Sequence, residues 1–300
     1  MSATFVGIGL AMAGAICLAL QAIFIRIGTD EGGVIDALLV VLASNILFVV
    51  VPVTIYYYPA YQVTVFSLIV FIAAGITGTV LARSLYYLSI ERIGASRTEP
   101  IKSSQPLHAT IVAIFVLSEP VTFEHFLGIV LITTGIILVS TEITSSQAKV
   151  SDTSSAMILI VPLTSAFFFG IEPSFVKLGF QEGTPVYVGL AIKVLAASIG
   201  FLGYLWFVDR LPTLRSVLQA SGRWYIAAGL VNTGFLYAYY MALERTAVSI
   251  VVPIVQTSPL LVAFVAYLAL SHREQVTRQT MAAAGVIVVG AIIITLYGST

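Results

Sequence analysis

The chain has 300 residues, of which 59% are hydrophobic and only 9% charged, with a formal net charge of zero and a mean hydropathy of +1.03. A soluble domain carries about a quarter of its residues charged, and no soluble core of this size hides so much apolar surface, so the composition excludes a soluble protein. The neutral balance argues against nucleic-acid binding, and a lone Cys17 excludes a disulfide framework within the chain.

A spanning helix needs about 20 apolar residues, each adding about 1.5 Å across a hydrocarbon core of about 30 Å. The predicted elements, in chain order, are ten. Helix 1 covers Thr4–Gly28, with no basic residue before it, so it reads as a membrane helix and not a cleaved leader. Its Gly7, Ala11, Ala15 and Ala19 recur every four residues, a small-residue groove that predicts close packing and a central place in the bundle. Helix 2 covers Val34–Tyr57, helix 3 Val65–Ile90, helix 4 Ala95–Leu117 and helix 5 Phe123–Ser140. A polar stretch, Thr141–Ser155, follows near the midpoint. Helix 6 covers Ala156–Gly179, helix 7 Pro185–Val208, helix 8 Trp224–Leu243, helix 9 Ala247–Leu270 and helix 10 Val276–Tyr297. The short joins at Glu91–Gly94 and Glu244–Thr246 leave open an eight-span alternative with re-entrant segments, which protein would have to cover at membrane depth.

The two halves repeat each other. Between Tyr86 and Ala113, 11 of 28 positions are identical at an offset of 153 residues, including both tyrosines, Glu91/Glu244, Arg92/Arg245, Pro100/Pro253 and Pro106/Pro259. At an offset of 151, Arg26 meets Lys177, Gly28 meets Gly179 and Glu31 meets Glu182. The division is 1–142 for the first five-helix repeat, 143–155 for the linker and 156–300 for the second repeat. Five spans per half make the repeats inverted, the design of secondary transporters in which two halves rock about a site near the midplane. Each half also has a short helix 3–helix 4 turn and a proline-containing fourth helix, leading into Ser118-Glu119-Pro120 or Ser271-His272-Arg273-Glu274. With these features the chain resembles the drug/metabolite transporter superfamily, EamA type, over nearly its whole length. The resemblance implies ten helices in inverted repeats around a central cavity. Many relatives end helix 9 with a Gly-Glu-Arg turn, and this chain does not, so architecture and not substrate is carried over.

Ionisable side chains inside a span cost about 2.5–3.5 kcal/mol or more at its centre, so each needs a partner or a wet cavity. Arg26, Lys177, Glu91, Arg92, Glu244 and Arg245 lie at span ends, where snorkelling and helix-end pairing account for them. Helix 4 differs. Glu99, Lys102, Gln105 and His108 recur every three residues as one polar stripe, whose counterparts in helix 9 are Val252, Val255, Ser258 and Leu261. The stripe reads as one wall of a substrate cavity, with a structural Glu99–Lys102 pair as the competing explanation. Pro100, Pro106, Pro173, Pro253 and Pro259 bend their helices and free carbonyls for water or ligand. Arg83 in helix 3 and Lys193 in helix 7 are charges peculiar to one half. Helix 8 adds Asn232 and Tyr237 as candidate substrate contacts, although membrane tyrosines more often pack. Glu172, deep in helix 6, is the candidate coupling residue: a carboxylate there can carry a proton or pair with a cation. Cations within the spans (Arg83, Arg97, Lys102, Lys193) outnumber anions (Glu99, Glu172), which predicts an anionic substrate with a carboxylate or phosphate.

The reading is an all-α integral membrane protein of the plasma membrane. It acts as a non-ATP secondary transporter that exports or exchanges a small polar metabolite, an amino acid or organic anion, by alternating access. No catalytic residue, metal site or cofactor is expected. HExxH and P-loop motifs are absent from the sequence, and a channel, a sensor or an intramembrane enzyme is the alternative. The expected partners are the small-molecule substrate and membrane lipid, with a homodimer admissible and no nucleic acid. For orientation, lysines and arginines outside the deep spans, Arg97 at the start of helix 4 counted with them, fall two on the side of both termini and nine opposite. That favours termini outside the cytoplasm, whereas the resemblance favours termini inside.

Overall fold

The computed structural model describes residues 2–28, 32–93, 98, 101–102, 104–117, 122–147, 155–209, 222–258, 260–262, 282–283, 285–286, 289–290 and 293. Among the described residues the fold is wholly helical. Helix α1 is Ser2–Gly28. Helix α2 runs as Val34–Asn45, a π-helical turn Ile46–Val50, and Val51–Tyr57. Helix α3 does the same, as Val65–Gly75, a π-helical stretch Ile76–Leu81, and Ala82–Ile93. Then come α4 (Gln105–Leu117), α5 (Phe123–Gln147), α6 (Ser155–Gln181), α7 (Val186–Phe207), α8 (Gly222–Arg245) and α9 (Val248–Val255).

Among the described residues, five helical stretches are long and apolar enough to cross a membrane: Thr4–Gly28, Ile35–Tyr57, Val65–Tyr86, Val186–Phe207 and Gly222–Arg245. The lipid-facing surface is apolar, with Phe5, Ile55, Phe115, Trp206 and Phe207 all exposed. In water such a surface would aggregate; in a bilayer it meets hydrocarbon. The chain is a multi-pass membrane protein. Of the ten expected spans, most of helix 10 and the far end of helix 9 lie outside the described residues. Helix α5 continues to Gln147, seven residues past its expected end, because the polar Thr141–Gln147 stretch holds helical geometry.

The fourth helix begins differently from the expected continuous span. Pro106 has no N–H to give the carbonyl of Lys102, and the chain turns at Ser104 instead. Ser104 N–H donates to Ile101 O at 3.1 Å, and Leu107 N–H to Ser104 O at 3.0 Å. The second half repeats the break 153 residues on: Thr257 N–H donates to Ile254 O at 3.0 Å and Leu260 N–H to Thr257 O at 3.0 Å. The side chains repeat it too, Ser104 Oγ donating to Ile101 O at 2.8 Å and Thr257 Oγ1 to Ile254 O at 2.7 Å. The repeated sequence thus folds into a repeated break. Pro100 and Pro259 lie outside the described residues.

Helix packing obeys the same symmetry. Helix α1 lies along α8, and α6 lies along α3; α2 packs on α8 as α7 packs on α3; α1 touches α9 as α6 touches α4. Every one of these contacts joins the two halves. Gly28 abuts the ring of Tyr225, and its counterpart Gly179 abuts the ring of Phe71; in both places a Cβ would collide with the ring. The small-residue face of α1 is buried as its spacing predicts, with Ala11, Ala15 and Ala19 at 3% exposure or less. Gly7 lies so close to Thr246, at the α8–α9 turn, that no side chain fits between them.

Candidate substrate cavity

Where α1, α3, α4, α6, α7, α8 and α9 converge they leave a cavity of ≈ 1020 Å³, its open mouth included. The lining comes from both halves and runs from midspan to Arg26, the end at which α1 finishes. At the opposite end lies the α8–α9 turn, where Lys177 donates from Nζ to Leu243 O at 2.6 Å and Thr246 O at 2.9 Å. The span-end reading of Lys177 as a helix-end partner therefore describes its geometry. Arg26, read the same way, instead lines the cavity.

Arg83 reaches the cavity from the second part of α3 and is buried. Its Nη1 donates to Asn232 Oδ1 at 3.1 Å. The amide of Asn232 then donates from Nδ2 to Asn45 Oδ1 at 3.1 Å, which also accepts from Thr233 Oγ1 at 2.9 Å. This chain through α8 and α2 orients the guanidinium without neutralising it. Among the described residues no carboxylate lies within ion-pair distance of Arg83. Arg83 is thus a buried, hydrogen-bonded guanidinium at the cavity wall that meets no carboxylate among the described residues.

Glu172 and Lys193 meet as a buried ion pair, Nζ to Oε1 at 2.6 Å. Tyr240 donates its hydroxyl to the same carboxylate oxygen at 3.4 Å, and its ring lies under the Lys193 ammonium at 5.1 Å. Gly78, in the π-helical stretch of α3, makes room for this pair: a Cβ there would come to 2.5 Å from Glu172 Cγ. At an offset of 151, Gln21 and Leu42 occupy the matching places in the first half, so the ion pair is one-sided. Gln21 is itself a lining residue.

Lys102 lines the cavity with its ammonium 4.5 Å from the Tyr86 ring centre and 5.5 Å from that of Phe169. Gln105 lines it as well. Its Nε2 donates to Phe169 O at 3.2 Å, a carbonyl four residues before Pro173 and so deprived of its helical donor. Gln256, the missed partner, donates from Nε2 to Gln105 Oε1.

Of the residues singled out in the sequence, the cavity brings together Arg83, Lys102, Gln105, Glu172 and Lys193. Asn232 stands behind Arg83 and is fully buried. His108 is not a lining residue: its Nδ1 lies 3.1 Å from Ser104 O, and its ring packs edge-on to Phe167 at 5.7 Å. Steps of three residues fall short of a full turn by roughly 60° each, so the stripe winds off the cavity within two steps. Tyr237 also lies elsewhere, donating to Phe48 O at 2.8 Å, a carbonyl that Pro52 leaves without its helical donor. Glu99 lies outside the described residues. The lining amides Gln21 and Gln256 were not singled out in the sequence; the available signal was an amide inside an apolar run, LALQAIF or PIVQTSP.

The comparisons agree with this architecture. The family model described as "EamA-like transporter family" matches residues 5–141 and 155–296. This is a membrane transporter of the drug/metabolite type. The chain belongs to the EamA-like transporter family. No curated protein sequence matches it. One crystal structure of a protein is similar in fold, with a TM-score of 0.69 over 98% of this chain and 96% of that one, at 16% identity.

Proposed function

We propose that this transporter is a secondary carrier that exports or exchanges a small organic anion across the plasma membrane by alternating access. The observation that carries the reading is Arg83, a buried guanidinium that lines a cavity between the halves and meets no carboxylate among the described residues. Lys102 and Arg26 line the same cavity, and Glu172 is already engaged by Lys193. An amino acid, the other metabolite class considered, would bring an ammonium into this positive field. Inverted repeats of five spans each, ten in all, are the architecture that such a carrier uses; the exchange of contacts between halves and the repeated proline break support it.

Alternation needs two ends that close in turn. Lys177 holds one end shut through the carbonyls of Leu243 and Thr246. In the coupling role we assign to Glu172, a proton arriving there loosens Lys193, which then joins the anion seat. The test is flux of carboxylates and phosphates into proteoliposomes of the purified protein. Saturable uptake that falls at least tenfold in Arg83→Gln and Lys102→Ala supports the reading. Uptake unchanged in both Lys102→Ala and Lys193→Ala across the anion panel sinks it.

A further inference from the structure

The ends of α1 and α6 are symmetry mates in different surroundings. Gly28 on α1 abuts the Tyr225 ring as Gly179 on α6 abuts that of Phe71, so the two helix ends share a register. Two residues before each glycine stands a cation, Arg26 or Lys177. Lys177 donates from Nζ to the carbonyls of Leu243 and Thr246, at the end of α8. Arg26 instead lines the cavity. Ala22, Ile25 and Arg26 of α1 line it together with Arg83 and Tyr86 of α3, so the cavity lies between these two helices. The mates of the three α1 residues are Pro173, Val176 and Lys177 of α6. None of them is a lining residue, and Val176 is fully buried. One pair of helix ends is parted and the other is packed.

The acceptors that Lys177 uses have mates too. At the offset of 153, Leu243 matches Ile90 and Thr246 matches Ile93. Both fall in the last described turn of α3, whose second part is Ala82–Ile93. The final carbonyls of a helix have no intrahelical donor. The negative end of the helix dipole lies there as well, so a cation suits them. Arginine meets the requirement at least as well as lysine, because it keeps its charge and offers five N–H donors in a fixed fork. Halves that are inverted copies can hold one repeated device in two arrangements. The arrangement at Lys177 is one of the two.

Resting on the alternating access proposed above, we propose that Arg26 is the latch of the second arrangement. When the cavity closes at the end of α1, the Arg26 guanidinium donates to the carbonyls of Ile90 and Ile93. Lys177 then releases Leu243 and Thr246, and the cavity opens at the α8–α9 turn. Each latch lies within its own half, so the two halves exchange conformations as the carrier alternates.

The experiment compares thiol accessibility at two places in the purified full-length protein, without substrate and in a Cys17→Ala background. One reporter is Thr246→Cys, at the α8–α9 turn. The other is Val262→Cys, at a cavity-lining position. The ratio of their rates with a water-borne thiol reagent, Thr246→Cys over Val262→Cys, follows the ratio of the two states. Arg26→Met is expected to lower this ratio about tenfold, the scale of a hydrogen bond to a charged group. Arg26→Gln lowers it as well, so the question is answered even where Arg26→Met folds poorly. Arg26→Lys, which retains charge and donor, keeps the wild-type ratio, and Lys177→Met raises it. Thr246 touches Gly7, about 28 Å along α1 from Arg26 and beyond a Debye length of about 10 Å, so a changed rate there reports conformation and not the field of the lost charge. A ratio unchanged in Arg26→Met and Arg26→Gln, with Lys177→Met still raising it, overturns the latch and leaves alternation standing. A loss in Arg26→Lys as large as in Arg26→Met overturns the carbonyl acceptors, which a lysine holds at the matching place. A ratio that no variant of Arg26 or Lys177 moves overturns the alternating-access reading and this proposal with it.

Discussion

Replacing Lys193 by Met strands the Glu172 carboxylate where, among the described residues, only the Tyr240 hydroxyl, at 3.4 Å, still faces its Oε1. The pair is nearly out of solvent, its two side chains at 7% and 5% exposure. Removing one partner of such a pair costs about 3–5 kcal/mol, because a charge is left buried without compensation. In a chain of this size each kcal/mol lowers the melting temperature by about 2 °C, so Lys193→Met is expected to melt about 6–10 °C below the wild type. The double variant Glu172→Gln/Lys193→Met removes both charges and is expected to recover most of that loss. The assay is thermal unfolding in one detergent of the wild type, both single variants and the double, read as a double-mutant cycle. The reasoning is refuted if the double variant melts no higher than Lys193→Met. That result would mean that the two charges are solvated separately, and that the 2.6 Å contact contributes nothing to the fold.

Three further outcomes follow from named contacts. Asn232→Leu takes the orienting amide from Arg83; anion affinity is expected to fall about tenfold, the scale of a hydrogen bond to a charged group, and an unchanged dissociation constant by titration would count against the positioning role. Gly78→Ala sets a methyl against Glu172 Cγ, and overpacking of this kind costs about 1–3 kcal/mol, seen as a lower melting temperature. Lys177→Met removes both bonds to the α8–α9 turn; a cysteine placed at Thr246 in a background with Cys17→Ala is expected to react faster with a water-borne thiol reagent than it does with Lys177 present, and equal rates would exclude a sealing role.

Much of the fold was legible because its signals are local and repeated. Apolar runs of spanning length give α1, α2 and α3 within a few residues, since helix length is tied to membrane thickness. The offset of 153 locates the proline break in both halves, and the break has one cause wherever it occurs, a missing N–H. Charges were legible for a similar reason: Arg83, Lys102, Glu172 and Lys193 cannot face lipid, so their burial against a partner or a cavity follows from cost alone.

What the sequence could not decide was which groups meet. Glu172 and Lys193 lie 21 residues apart on different helices, and nothing in either helix names the other. Asn45 and Asn232 are 187 residues apart, and uncharged amides carry too small a transfer cost to stand out in an apolar run. His108 shows the converse error. Its spacing from Lys102 and Gln105 is regular, yet a helix rotates about 100° per residue, and only packing against α6 decides where the cavity wall ends. By itself, then, the sequence determined the membrane, the repeat and the inventory of costly charges, because each is a cost that a single segment bears. The tertiary structure alone decided the ion pair and the amide chain behind Arg83, because hydrogen bonds are settled between helices and not along them.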